Sequence, residues 1–126
     1  MKSSLGWKVK IKVKLGRKDA HYSGGLVAVA KILEFFGDAA TKLCLREAGV
    51  EGLLRAYREV EFLRPVFVGD TVEAMAKIVK IGKTSRTMKF WCSKRRPQRQ
   101  IVCSALGTVV IPQRSGSLVR RPKRCY

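Results

Sequence analysis

From Trp7 to Leu15 the chain alternates without a break. Trp7, Val9, Ile11, Val13 and Leu15 fall on one side, and Lys8, Lys10, Lys12 and Lys14 on the other. A period of two is that of a strand with one buried and one solvated face. The lysine row suits an outer strand, where it discourages pairing with other chains. The spacing then changes: Leu26, Val27, Ala30, Ile32, Leu33, Phe36, Ala40 and Leu43 recur at three- and four-residue intervals. This predicts one deeply buried helix from about Gly25 to Arg46. Gly37 and Asp38 interrupt the apolar run, as a bend or a site would, and Gly49 and Gly52 predict a turn after the helix. Period two returns over 53–63, with Leu54, Ala56, Val60 and Phe62 facing one way and Tyr57, Glu59 and Glu61 the other. "RPVFVGD" reads as a turn, because Pro65 lacks a donor and Gly69-Asp70 favours reversal. Strands are expected over 71–81 and 86–94, joined by "GKTS". The segment 101–111 is apolar on both faces and belongs in the sheet interior.

One helix among five strands must bury its apolar stripe against the sheet. The expected fold class is therefore α+β, an antiparallel β-sheet wrapped around one long central α-helix. Residues 1–112 form that domain, and 113–126, which lack any acid or periodicity, form a basic flexible tail. At 126 residues and 46% hydrophobic content the chain supports one core. No apolar run approaches the roughly 20 residues of a membrane span. The lysines near the N-terminus spoil a signal peptide, so a soluble, cytoplasmic protein without membrane association is expected. Cys44, Cys92, Cys103 and Cys125 are scattered with no CxxC pair, which argues against a metal site or a disulfide framework. The first three sit among apolar neighbours and read as small core residues.

Charge changes the picture most. There are 27 Lys plus Arg against 9 Asp plus Glu, a net +18, which attracts anionic partners. Nucleic acid, an anionic carrier such as coenzyme A, and a merely solvated basic surface are the three readings. A basic nucleic-acid-binding module would need an exposed aromatic row or a recognition motif. Phe35 and Phe36 lie in the helix, Phe62, Phe67 and Phe90 in apolar contexts, and no zinc-finger or RNA-recognition signature is present. The expectation is salt-sensitive adhesion to DNA without specific nucleic-acid recognition.

Three stretches point elsewhere: "RKDAHYSGGLVAVAKILEFFGDAATKL", "EGLLRAYREVEFLRPVFVGDTVEA" and "KIVKIGKTSRTMKF". Together they closely resemble the hotdog-fold β-aminoacyl-CoA ammonia-lyases, over about residues 10–112. "DAHYxG", "VEFxxPVxxGD" and "GxTSR" are specific in combination, whereas hotdog acyl-CoA thioesterases carry something like "PVxxGD" alone. The resemblance implies a carbon–nitrogen lyase that reversibly eliminates ammonia from an acyl-CoA thioester, of the 3-aminobutyryl-CoA type met in lysine fermentation. It implies no cofactor beyond the coenzyme A of the substrate. It also implies a homodimer with active sites between two chains, assembling further to a hexamer. Ala28, Val29, Lys42, Arg64 and Lys83 depart from the family pattern, and "KRRPQRQ" is shorter than the usual loop. A hotdog acyl-CoA thioesterase is the second reading.

Within that chemistry, a thioester oxygen gains charge and needs donors, which a helix N-terminus offers. Gly24 and Gly25 are the oxyanion candidates, with Ser23 as cap; the bland reading is a Ser cap followed by glycines for close packing. His21 and Asp19, two residues apart, are an acid–imidazole pair or a satisfied loop histidine with its neighbour. Tyr22 orients substrate or packs. Family position makes Glu61 a second carboxylate that takes the α-proton or holds the ammonium; by pattern alone it is a solvent-facing strand residue. Asp38 polarises a neighbour or caps a turn. Lys83, Ser85 and Arg86 are the candidates for the coenzyme A phosphates, or else a charged hairpin.

Overall fold

In a computed structural model of the chain, which describes residues 3–20 and 23–112, the lysine–hydrophobe alternation forms β1, Lys8–Lys14. The helix α1 spans Val29–Ala48, followed by β2 (Leu53–Phe62), β3 (Thr71–Ile81), β4 (Ser85–Lys94) and β5 (Gln100–Val110). All strands pair antiparallel in one sheet of order β1-β3-β4-β5-β2. The lysine-bearing β1 is thus an edge and the doubly apolar β5 is interior, as their patterns require. His21, Tyr22 and the tail 113–126 lie outside the described residues.

The helix covers one face of the sheet. Val9, Ala74, Ala76, Phe90, Cys103 and Ala105 point towards it, and the small side chains at 74 and 76 let it approach closely. Phe36 is fully buried and stacks on Phe90 with ring centroids 5.2 Å apart, while Tyr57 meets Phe90 edge-on at 5.8 Å. Burying one such side chain is worth about 1.5–3 kcal/mol. Cys44, Cys92 and Cys103 are free, buried core residues. No helix among the described residues is long and apolar enough to cross a membrane.

Three expectations need correction. The helix starts at Val29 with Ala28, not Ser23, as its N-cap. Gly24 and Gly25 have φ of +84° and +79°, outside helical space. Residues 25–27 instead run beside 66–68, where Val27 N–H donates to the Val66 carbonyl and Val68 N–H to that of Gly25, both at 2.8 Å. Leu26 and Val27 thus imitate a helical stripe while lying in an extended segment. Second, β2 does not alternate simply. Its register with β5 shifts between Leu54 and Ala56 and again between Arg58 and Glu61, and Glu59 takes a φ of +53°. These bulges turn Leu54, Tyr57 and Val60 to the core, leave Ala56 exposed, and leave Phe62 44% exposed. Third, the helix runs unbroken through Gly37. That glycine makes room for Tyr57, whose hydroxyl lies 4.0 Å from where a Cβ would stand and donates to the Leu33 carbonyl at 2.6 Å.

Candidate active site

Two of the sequence motifs, far apart in the chain, meet at the approach to α1. "DAHYSGG" leads into the extended 25–27 segment, and "PVFVGD" supplies its partners at Val66 and Val68. Gly24 is exposed, and among the described residues no atom lies within 4 Å of where its Cβ would project. Gly25 faces only Val68, at 3.8 Å. Of the first-turn amides of α1, that of Lys31 donates to the Ala28 carbonyl at 3.0 Å, and those of exposed Val29 and Ala30 have no acceptor within the helix. Among the described residues nothing covers the glycine turn that leads into the helix. Asp19 is 9% exposed, and its Oδ2 accepts from Gly16 N–H at 2.9 Å while Lys31 Nζ lies 3.8 Å from Oδ1. This carboxylate fixes its own turn.

Of the nine acidic residues, Asp19, Glu34, Glu47, Asp70 and Glu73 are held by hydrogen bonds or ion pairs. Asp38, Glu51, Glu59 and Glu61 are not, among the described residues. Glu61 lies opposite Ser104 and, with Glu59, Val60, Lys89 and Ser104, lines a cleft of about 580 Å³. It does not share a face with Tyr57, which the bulges turn inward. Burial pushes the Tyr57 phenol up to about 12, with Cys103 and Asp38 adding to the rise. The sequence reading missed Glu59, Lys89 and Ser104 in this cleft. Ser104, a lone hydroxyl inside "IVCSALG", was the visible signal; the bulge that aims Glu59 was not.

Lys83, Ser85 and Arg86 are far from the helix mouth within one chain. Arg86 Nε and Nη2 each donate to Glu47 at 3.1 Å, and Nη1 donates to the Gly82 and Ser85 carbonyls at 3.3 and 3.0 Å. Glu47 sits near the end of α1, so about 27 Å of helix separates this cluster from the Val29 amide. Lys83 is exposed and Ser85 half-buried in the tight turn. Among the described residues no group of three His, Cys, Asp or Glu could hold a metal ion.

Comparisons with known proteins bear on the family and the fold. The family model of the thioesterase superfamily matches residues 24–90. Over 117 residues the chain is 41% identical to a 3-aminobutyryl-CoA ammonia lyase of Acetoanaerobium sticklandii, an alignment covering 82% of this chain and 93% of that protein. The solved β-alanyl-CoA:ammonia lyase from Clostridium propionicum superposes with a TM-score of 0.80 at 33% identity, covering 88% of this chain and 94% of that one. A hexameric thioesterase from Yersinia pestis shares the fold with a TM-score of 0.77 at 20% identity, covering 84% and 88%.

Proposed function

Because the chain belongs to the thioesterase superfamily, and within it to the family of the β-aminoacyl-CoA ammonia lyases, we propose that it reversibly eliminates ammonia from a β-aminoacyl-CoA of the 3-aminobutyryl type. The products are the enoyl-CoA and ammonium. The observation that carries this reading is the meeting of its two most specific motifs at one open place, joined by the Val68–Gly25 and Val27–Val66 hydrogen bonds.

The thioester oxygen binds at the glycine turn and the helix mouth, where Gly24, Gly25 and the first helical amides supply donors as charge develops. Glu61, which makes no hydrogen bond or ion pair among the described residues and lies opposite Ser104 on the sheet face away from its own helix, takes the α-proton of a substrate held at the helix mouth of a second copy while the bond from the β-carbon to nitrogen breaks. Asp38, equally free, and Tyr22 hold the substrate's amino end. His21, two residues from Asp19 in the sequence, passes a proton to the departing ammonia, which leaves as ammonium, so that the proton taken from the α-carbon is balanced. No cofactor enters beyond the coenzyme A of the substrate.

A second copy completes the site. Edge strand β2 is ten residues long, lacks the lysine row of β1, and ends beside exposed Phe62 and Leu63. Pairing there gives the homodimer, with further assembly to a hexamer. Lys83 and Ser85 of one chain then serve a site on the other, while Arg86, held by Glu47, fixes the turn that carries them. A cytoplasmic role in amino-acid fermentation of the lysine-degrading kind completes the reading.

Incubation with 3-aminobutyryl-CoA, β-alanyl-CoA and butyryl-CoA tests it. Ammonia and an enoyl absorbance from the first, with no free thiol from any, are expected. Thiol release from butyryl-CoA without ammonia from the amino substrates would put hydrolysis in its place.

A further inference from the structure

Where β1 ends and β3 begins, a cleft of about 410 Å³ gathers Lys12 and Lys14 of β1, Lys94 of β4, and Arg95 and Arg96 of the following link, with Asp70 the one acid in its wall. Register sets Lys12 and Lys14 on one face of the sheet, and Lys94 reaches the cleft from the other, the face of buried Val72. Lys14 lies opposite Thr71 and Lys12 opposite Glu73 on one flank of β3, while Lys94 lies opposite Val72 on the other. Lys94 is paired with Asp70 at 3.7 Å and Arg95 with Glu73 at 3.4 Å. Glu73, 2% exposed beneath the cleft, is also shared with Lys10 at 3.8 Å and Arg99 at 3.2 Å. The acids within reach are therefore taken. Lys12, Lys14 and Arg96 make no hydrogen bond or ion pair among the described residues. Lysines two residues apart on a strand stand about 6.6 Å from one another at the backbone, and their repulsion is relieved by a bound anion.

Two successive backbone hydrogen bonds link the cleft to the glycine turn. Gly69, in its wall, donates its N–H to the Leu15 carbonyl, and the neighbouring Val68 donates to Gly25, both at 2.8 Å. We propose that this cleft binds clustered phosphate groups, with Lys12, Lys14 and Arg96 making the charge-assisted contacts. Cations arriving from separate strands match an anion with charge on several oxygens, and a guanidinium fork suits phosphate geometry. The phosphates are those of the substrate's own coenzyme A or those of a free nucleotide. The first source rests on the reaction proposed above; the second does not.

Titration calorimetry with inorganic pyrophosphate at low ionic strength tests the site without reference to turnover. The exposed pair is removed in Lys14→Ser/Arg96→Ser, and a control, Lys77→Ser/Lys80→Ser, removes equal charge from exposed β3 positions outside the cleft. The cleft variant should bind pyrophosphate at least about tenfold more weakly, the scale of losing charged hydrogen bonds, with the control close to wild type. Equal affinity in the cleft variant and wild type, or an equal loss in the control, overturns the proposal. Coenzyme A then separates the sources. If pyrophosphate competes with it, and the cleft variant raises KM for 3-aminobutyryl-CoA with kcat unchanged, the phosphates are the substrate's. If pyrophosphate binding is lost while coenzyme A affinity and KM stay unchanged, the ligand is a separate nucleotide.

Discussion

Arg86→Leu separates a structural arginine from a ligand-binding one. The Glu47 and Arg86 side chains are 10% and 14% exposed, and four of the five guanidinium N–H groups are already used. Removing the guanidinium leaves the Glu47 carboxylate, among the described residues, with only the Ser4 hydroxyl, at 2.9 Å. Breaking a buried pair by deleting one partner costs about 3–5 kcal/mol. The residual exposure lets water reach the orphaned carboxylate, which puts the expected loss near the lower limit, about 3 kcal/mol. For a domain of this size that lowers the Tm by roughly 10 °C. Glu47→Leu/Arg86→Leu removes the orphan as well and should recover at least half of the loss. Thermal unfolding by circular dichroism at fixed protein concentration measures all three, alongside KM for the thioester. An Arg86→Leu protein within about 0.5 kcal/mol of wild type, with a strongly raised KM, would refute the structural reading and return Arg86 to phosphate binding.

Four further outcomes are expected. His21→Ala and Glu61→Gln should each cut turnover by at least about 100-fold, the scale of acid–base partners; near wild-type rates in both would mean the proton-transfer groups lie elsewhere. Gly24→Ala meets no atom of the described residues but forces a side chain to φ +84°, so about 1–2 kcal/mol of stability and most of the activity should go; full activity would remove Gly24 from the oxyanion role. Burial pushes the Cys92 thiol up to about 12, with Cys103 adding to the rise, pushes Cys103 up to about 11, and raises Cys44. Iodoacetamide should therefore spare all three in the native protein at pH 8 and label them in urea; fast native labelling of any would contradict their placement. Burial acts to raise the Glu73 pKa, but Lys10, Arg95 and Arg99 outweigh it and hold the carboxylate below its ordinary 4.5. A folded-state value lower than the unfolded one gives stability that is complete above the unfolded pKa and lost as pH falls through the folded one. Glu73→Gln should flatten the acid limb of a stability–pH profile below about pH 4.5, and an unchanged limb would count against it.

Regular alternation made most of the fold legible. The lysine row of β1 and the doubly apolar "IVCSALGTVVI" each placed a strand correctly, at the edge and in the interior. What failed was local and had local causes. Two bulges in β2 reversed Tyr57, because one extra residue flips a side chain and nothing in "LLRAYREVEF" marks the insertion. Leu26 and Val27 fit a helical stripe yet lie in an extended segment fixed by partners some 40 residues away. At the candidate site, "SGG" marked a special backbone but read as a helix start, whereas Gly24 and Gly25 form a turn of positive φ ahead of the helix. The Arg86–Glu47 pair was not readable, since it joins residues 39 apart.

The central claim is carbon–nitrogen chemistry on an intact thioester, and the reverse reaction reads it most directly. Crotonyl-CoA and ammonium in deuterated water, followed by proton NMR with a parallel thiol assay, should lose the vinyl signals. A β-amino product should appear carrying one deuterium at the α-carbon, with no free thiol. Stoichiometric thiol with the carbon–carbon double bond intact would contradict the account.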